Sequence, residues 1–190
     1  MSRSSALFLG AAVLSAASLL TPLWGFRMSA PQYPGEALHL RVTSRAIRGD
    51  VHEVTTLQKY IGVQFPTKLP ELRWLPAVIL GIAAALALAA VAGRGPAGRV
   101  ARWVAAGAMV VFLLAAAGLL QKRLYDVGHH RDPHAPIRAV HDFTPPAVGP
   151  VKVGNFTVWS YPHAGAGLLA AAALLAILGA RPQHRLGATA

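Results

Sequence analysis

Four stretches of the chain contain no Asp, Glu, Lys, Arg or His: Ala6 to Phe26, Leu75 to Gly93, Trp103 to Leu120 and Ala164 to Ala180. A hydrocarbon core of roughly 30 Å asks for about 20 apolar residues in a helix, and these runs meet or approach that length. Trp24, Trp74, Trp103, Trp159 and Tyr161 stand at their flanks, where amphipathic rings anchor a helix at the membrane interface. The pattern predicts transmembrane helices over 1–26, 74–93, 103–120 and 163–181. The second and fourth runs are rich in Ala and Gly, which lets helix backbones approach closely. The expected fold class is an all-α membrane protein, a four-transmembrane-helix bundle with two outer loops that form a small mixed cap.

Orientation follows from the short connections, where Lys and Arg weigh most. The link over 94–102 carries Arg94, Arg99 and Arg102 with no acid, which places it in the cytoplasm. Arg3 at one end, and Arg181 with Arg185 of the tail (182–190) at the other, put both termini on the same side. The loops 27–73 and 121–162 hold all seven acids mixed with their bases, and fall outside. The first run also resembles a secretory signal, with Arg3 before it and Ser29-Ala30 after it. It is longer than a signal's apolar segment and no small-x-small site closes it, so an uncleaved anchor is expected.

The outer loops carry their own periodicities. In the first, Leu38, Leu40 and Val42 alternate with His39, Arg41 and Thr43, a period of two that predicts a short strand. After Gly49-Asp50, the residues Val51, Val54, Leu57 and Ile61 recur at helical spacing up to Gly62. The second loop is dense in proline and histidine and reads as ordered but irregular, with an edge strand through Val151, Val153, Phe156 and Val158.

Composition narrows the function. Apolar residues make up 54% of the chain and charged ones 13%, against about a quarter charged in soluble domains. The formal charge of +11 is scattered beside apolar runs and forms no single basic element, which argues against nucleic acid. The absence of cysteine excludes disulfides, thiolate metal sites, iron–sulfur clusters and covalent haem attachment through CxxCH. Haem between the spans would need facing imidazoles within them, and transport an ionisable residue; neither is present. No GxSxG elbow and no Walker lysine occur, so an enzyme is not expected.

The remaining chemistry is imidazole. His129, His130, His134 and His141 fall within thirteen positions, with Asp132 inside that stretch and Asp142 directly after it. Neutral imidazole binds copper, zinc and nickel, and a proline-stiffened loop loses little entropy in gathering several rings. A solvated, histidine-rich surface loop has the same composition, and both readings stand. Met28, at the outer end of the first run, offers a thioether to a soft cuprous ion or is ordinary packing. His163, at the start of the fourth run, is a further nitrogen donor.

Taken in order, RMSAPQYPGEALHLRV, GDVHEVTTLQKYIGV, GHHRDPHAPI, FTPPAVG and NFTVWSYP cover both loops. This series resembles the outer segments of an uncharacterised family of bacterial multi-span membrane proteins. The resemblance implies association with nitrous-oxide reductase maturation and periplasmic copper handling. Family members often read Asn-His-Tyr-Ile-Gly-Met where this chain has Gln58-Lys59-Tyr60-Ile61-Gly62-Val63, so two potential ligands are replaced. Copper is thereby left to His129, His130, His134, His141 and Met28. The expectation is an inner-membrane accessory protein that assists periplasmic copper delivery or assembly of a copper-dependent respiratory enzyme, with the bilayer and membrane or periplasmic proteins as partners. The alternative is a metal-free structural subunit or assembly scaffold.

Overall fold

The computed structural model describes residues 2–30, 35–63, 69–93, 95–130, 134 and 142–181. Along the chain run α1 (Arg3–Ala17), extended by a 3-10 turn Ser18–Leu20, then β1 (Trp24–Ser29), β2 (Ala37–Val42), β3 (Ile47–Gly49) and α2 (Val51–Ile61). A second 3-10 turn, Pro70–Arg73, leads into α3 (Leu75–Val91), and α4 (Pro96–His129), β4 (Gly149–Val153), β5 (Phe156–Pro162) and α5 (Ala164–Ala180) follow. The strands form one antiparallel sheet of order β3-β2-β1-β5-β4. The all-α four-helix expectation is therefore overturned: the fold is mixed α/β, the short strands expected near 38–42 and 151–158 belong to one five-stranded sheet, and its central strand begins inside the first expected span.

Two local causes account for the difference. Thr21 is extended (φ −124°, ψ 156°), as the residue before Pro22 prefers, so the first helix stops there. Trp24, Gly25 and Phe26, contiguous with that apolar run, become the start of the central strand. At the other junction α4 does not end at Leu120, because Leu120, Leu124 and Val127 continue an apolar stripe at helical spacing. The helix reaches 34 residues, about 50 Å at 1.5 Å per residue. It outruns a hydrocarbon layer of roughly 30 Å.

Helices α1, α3, α4 and α5 pack side by side, α1 and α4 each against both α3 and α5. Their shared core is mostly alanine around the fully buried Phe8, Ile79, Leu86 and Met109. Hydroxyls within it are satisfied locally, Ser15 by the Ala11 carbonyl at 2.8 Å and Ser18 by that of Ser15 at 2.7 Å, while Ser4 donates to Gly179. Arg102 caps the end of α3, donating to the carbonyls of Ala89 (3.3 Å) and Ala92 (2.9 Å), where a cation meets the negative end of the helix dipole. By length and composition two helices of the described residues could cross a membrane, Arg3–Leu20 and Pro96–His129; a buried core helix or a signal sequence passes the same test. The helices α3 and α5, of 17 residues each, are apolar but shorter.

The sheet stands at one end of this helical layer. The Gly165 amide donates to the Pro22 carbonyl (2.8 Å) and that of His163 to Leu23 (3.0 Å), so β1 and β5 spring side by side from α1 and into α5. One sheet face packs on the upper part of α4 and on α2, through Phe26, Leu40, Val54 and Leu124. The alternation Leu38, Leu40, Val42 supplies β2 to that face, and Val51 and Val54 supply α2.

Candidate functional site

Between the inner sheet face and the upper part of α4 lies a cleft of about 640 Å³ of empty space, its open mouth included. Phe26, Met28, Leu40 and Val158 line it from the sheet, and Leu124 and Val127 from the helix. Phe143 and Pro145 form a rim that α4 holds in place. The Phe143 amide donates to the Gly128 carbonyl (3.4 Å), and Gln121 Nε2 to that of Pro145 (3.1 Å). Glycine at 128 makes this approach possible, since a Cβ there would come within 1.8 Å of the Phe143 carbonyl oxygen.

Among the described residues Ser160 is the one lining residue with a polar side chain. Its Oγ donates to the Ala147 carbonyl (2.6 Å) and accepts from Trp24 Nε1 (2.8 Å). A hydroxyl has one hydrogen to give, and this one is already committed. The cleft thus offers its occupant dispersion and desolvation but almost no polar recognition.

Just below, Arg123 on α4 grips Glu71 in the turn before α3, with Nε 2.8 Å from Oε1 and Nη2 on the same oxygen. The other carboxylate oxygen is buried without a partner among the described residues. Burial pushes the Glu71 carboxyl up, but the hydrogen bond from Arg123, a backbone hydrogen bond and the guanidinium charge outweigh it and hold the group below the ordinary carboxylate range. Glu71 is accordingly ionised at neutral pH, and the pair ties the long helix to the helical layer.

The imidazoles predicted from sequence fall partly on α4 and partly beyond it. His129 is the last residue of α4 and His130 its cap, not members of a proline-rich loop. His129 stacks on Tyr125 with ring centroids 3.8 Å apart, and its Nδ1 lies 2.9 Å from the Tyr125 carbonyl. His130 Nδ1 stands 3.2 Å from the Asp126 carbonyl. His134 is exposed, and His141 lies outside the described residues. Met28 is partly buried among the apolar side chains of the cleft. His163 caps α5, its Nδ1 accepting from the Ala164 amide at 3.0 Å. Among the described residues no group of three or more His, Asp or Glu is placed to hold a metal ion.

The cleft itself was missed by sequence reasoning. A signal was present, because Phe156, Val158 and Ser160 alternate with Thr157, Trp159 and Tyr161 and so mark a two-faced strand. What the alternation could not reveal was that α4 would be the element facing it. Comparison with protein-family models, curated proteins and solved structures gives no match.

Proposed function

We propose that this is a membrane accessory protein that acts by binding and not by turnover. Its apolar helices lie in the inner membrane of a bacterium, with the connection between α3 and α4, and Arg99 and Arg102 of the first turns of α4, inside, and the sheet in the periplasm. The cleft between sheet and α4 receives an alkyl or acyl chain. The observation that carries the reading is the lining: among the described residues Ser160 alone brings a polar side chain, with its hydrogen given to Ala147 and one lone pair taken by Trp24, so a peptide entering the cleft would find at most one side-chain acceptor and leave its other backbone amides unpaired, at roughly 1–3 kcal/mol each, whereas a hydrocarbon chain leaves nothing unpaired. The intact protein in lipid nanodiscs is expected to bind a fluorescent fatty-acyl probe, and Met28→Trp, which fills the cleft, to weaken binding about tenfold, or some 1.4 kcal/mol. A melting temperature for the variant close to that of the native protein shows that the fold survives. Equal affinity in both proteins would sink the proposal.

A second reading, copper handling, is what the family resemblance implies, and one observation favours it. A carbonyl oxygen only accepts, so Nδ1 of His129 and of His130 carries the hydrogen, and in the neutral ring Nε2 keeps its lone pair. Metal-bound histidines are commonly oriented in this way by a carbonyl behind the ring. Titration with Cu(I) and Cu(II) should then show uptake that a His129/His130/His134→Ala variant loses. If both proteins take up the same metal, these imidazoles hold none. Stable partners copurifying from native membrane without copper would favour the metal-free scaffold.

A further inference from the structure

The face of the sheet turned away from α4 has a different chemistry. Strand alternation puts Arg27 of β1, His39 and Arg41 of β2, Arg48 of β3, Lys152 of β4, and Trp159 and Tyr161 of β5 on it. Arg27, Arg41, Arg48, Lys152 and Trp159 are exposed, and no strand residue of this face is acidic. None of the four cations is paired with a carboxylate among the described residues.

Register makes the arrangement specific. Arg48 stands directly opposite Arg41, Arg41 opposite Gly25, and Gly25 opposite Tyr161. Tyr161 lays its ring over Gly25, so close that a Cβ at 25 would come within 2.6 Å of Cζ. Like charges directly opposite across a strand pair are destabilising, and nothing within the sheet offsets this pair. An anion held by both guanidiniums would convert the repulsion into two charge-assisted hydrogen bonds, and the planar fork of arginine suits phosphate.

We infer that this face binds the phosphate groups of anionic phospholipids in the leaflet on the sheet's side. The inference rests on the membrane placement proposed above. The Arg48–Arg41–Gly25–Tyr161 row lies one residue from the Val42–Trp24–Pro162 row, where β1 and β5 join the helices. With the helices in a bilayer, that is the level of the headgroups. Aromatic side chains gather at the same end, Tyr161 in the row and Trp74 at the start of α3, 65% exposed with the Arg73 guanidinium 5.5 Å from its ring. Interfacial Trp and Tyr beside basic residues are how proteins engage the surface of a membrane.

The test compares the full chain with Arg41→Gln/Arg48→Gln in neutral detergent by thermal melting. Phosphatidylglycerol should raise the melting temperature of the native chain by about 3 °C or more over phosphatidylcholine. The double variant should lose that preference while melting no lower in phosphatidylcholine, since the substitution also removes the repulsion. The same rise in the variant, an equal response to both lipids, or a rise with inorganic phosphate or polyglutamate in place of lipid overturns the inference. Extraction of native membranes separates it from its premise. Release into carbonate wash without detergent defeats the membrane placement itself, whereas retention without a phosphatidylglycerol preference defeats only the headgroup site.

Discussion

Leu124→Ala is expected to loosen the sheet from α4 and to lower the melting temperature by roughly 5–15 °C. Leu124 is 4% exposed and packs with Phe26, Leu40 and Val54, so it joins α4 to both the sheet and α2. Truncating a buried leucine costs about 2–5 kcal/mol, the larger values where the surroundings cannot collapse into the space. Collapse is hindered here, because Leu124 already borders the cleft and the variant only enlarges a void. For a chain of this size each kcal/mol is worth some 2–4 °C. Helix content by circular dichroism should persist, since the alanine-rich core of the helical layer does not include residue 124. A melting curve unchanged from the native protein would show that the sheet does not depend on the long helix.

Gly128→Ala should also destabilise, although alanine favours a helix over glycine by up to about 1 kcal/mol. The new methyl would sit 1.8 Å from the Phe143 carbonyl oxygen, a backbone atom that cannot swing aside as a side chain would. Overpacking of this kind costs about 1–3 kcal/mol, enough to outweigh the propensity gain. The segment carrying Phe143 must move off α4, which opens the rim of the cleft and should raise protease sensitivity there. Gly107→Ala and Gly118→Ala are the controls, both within α4 with no atom within 4 Å of the added methyl. They should be neutral or stabilising, as helix propensity alone dictates. Destabilisation by all three substitutions to the same degree would mean that contact with Phe143 is not the reason glycine occupies 128.

These two positions also show why part of the fold could not be read from local pattern. Leu124 continues the period of Leu120 and Val127, but the Gln121-Lys122-Arg123 triplet beside it looks like the end of a membrane span. Two of the three side chains have partners, Gln121 the Pro145 carbonyl and Arg123 the Glu71 carboxylate, and Lys122 is exposed. Both partners are distant in sequence. The central strand β1 was hidden for a similar reason. Trp24, Gly25 and Phe26 prolong an apolar run, and they become strand because β2 and β5 supply hydrogen-bonding neighbours on either side.

The candidate site divides along the same line. Four histidines within thirteen positions suggest a cluster, yet helical geometry continues through His129, the His129 and His130 rings each lie against a carbonyl one helical turn back, and His141 falls outside the described residues.

From its sequence alone, the chain determined that apolar helices would form within the four uncharged runs, though not where the first and third of them end, that Leu38, Leu40 and Val42 would make a two-faced strand, and that Val51 to Ile61 would be helical. Each depends on a period within a few neighbouring residues. Only the tertiary structure decided that β1 would be the centre of a five-stranded sheet, that α4 would run on past the helical layer to enclose a cleft, and that Arg41 would meet Arg48. Those outcomes depend on pairing and burial between segments far apart in the chain, whose free energy appears only when the segments are brought together.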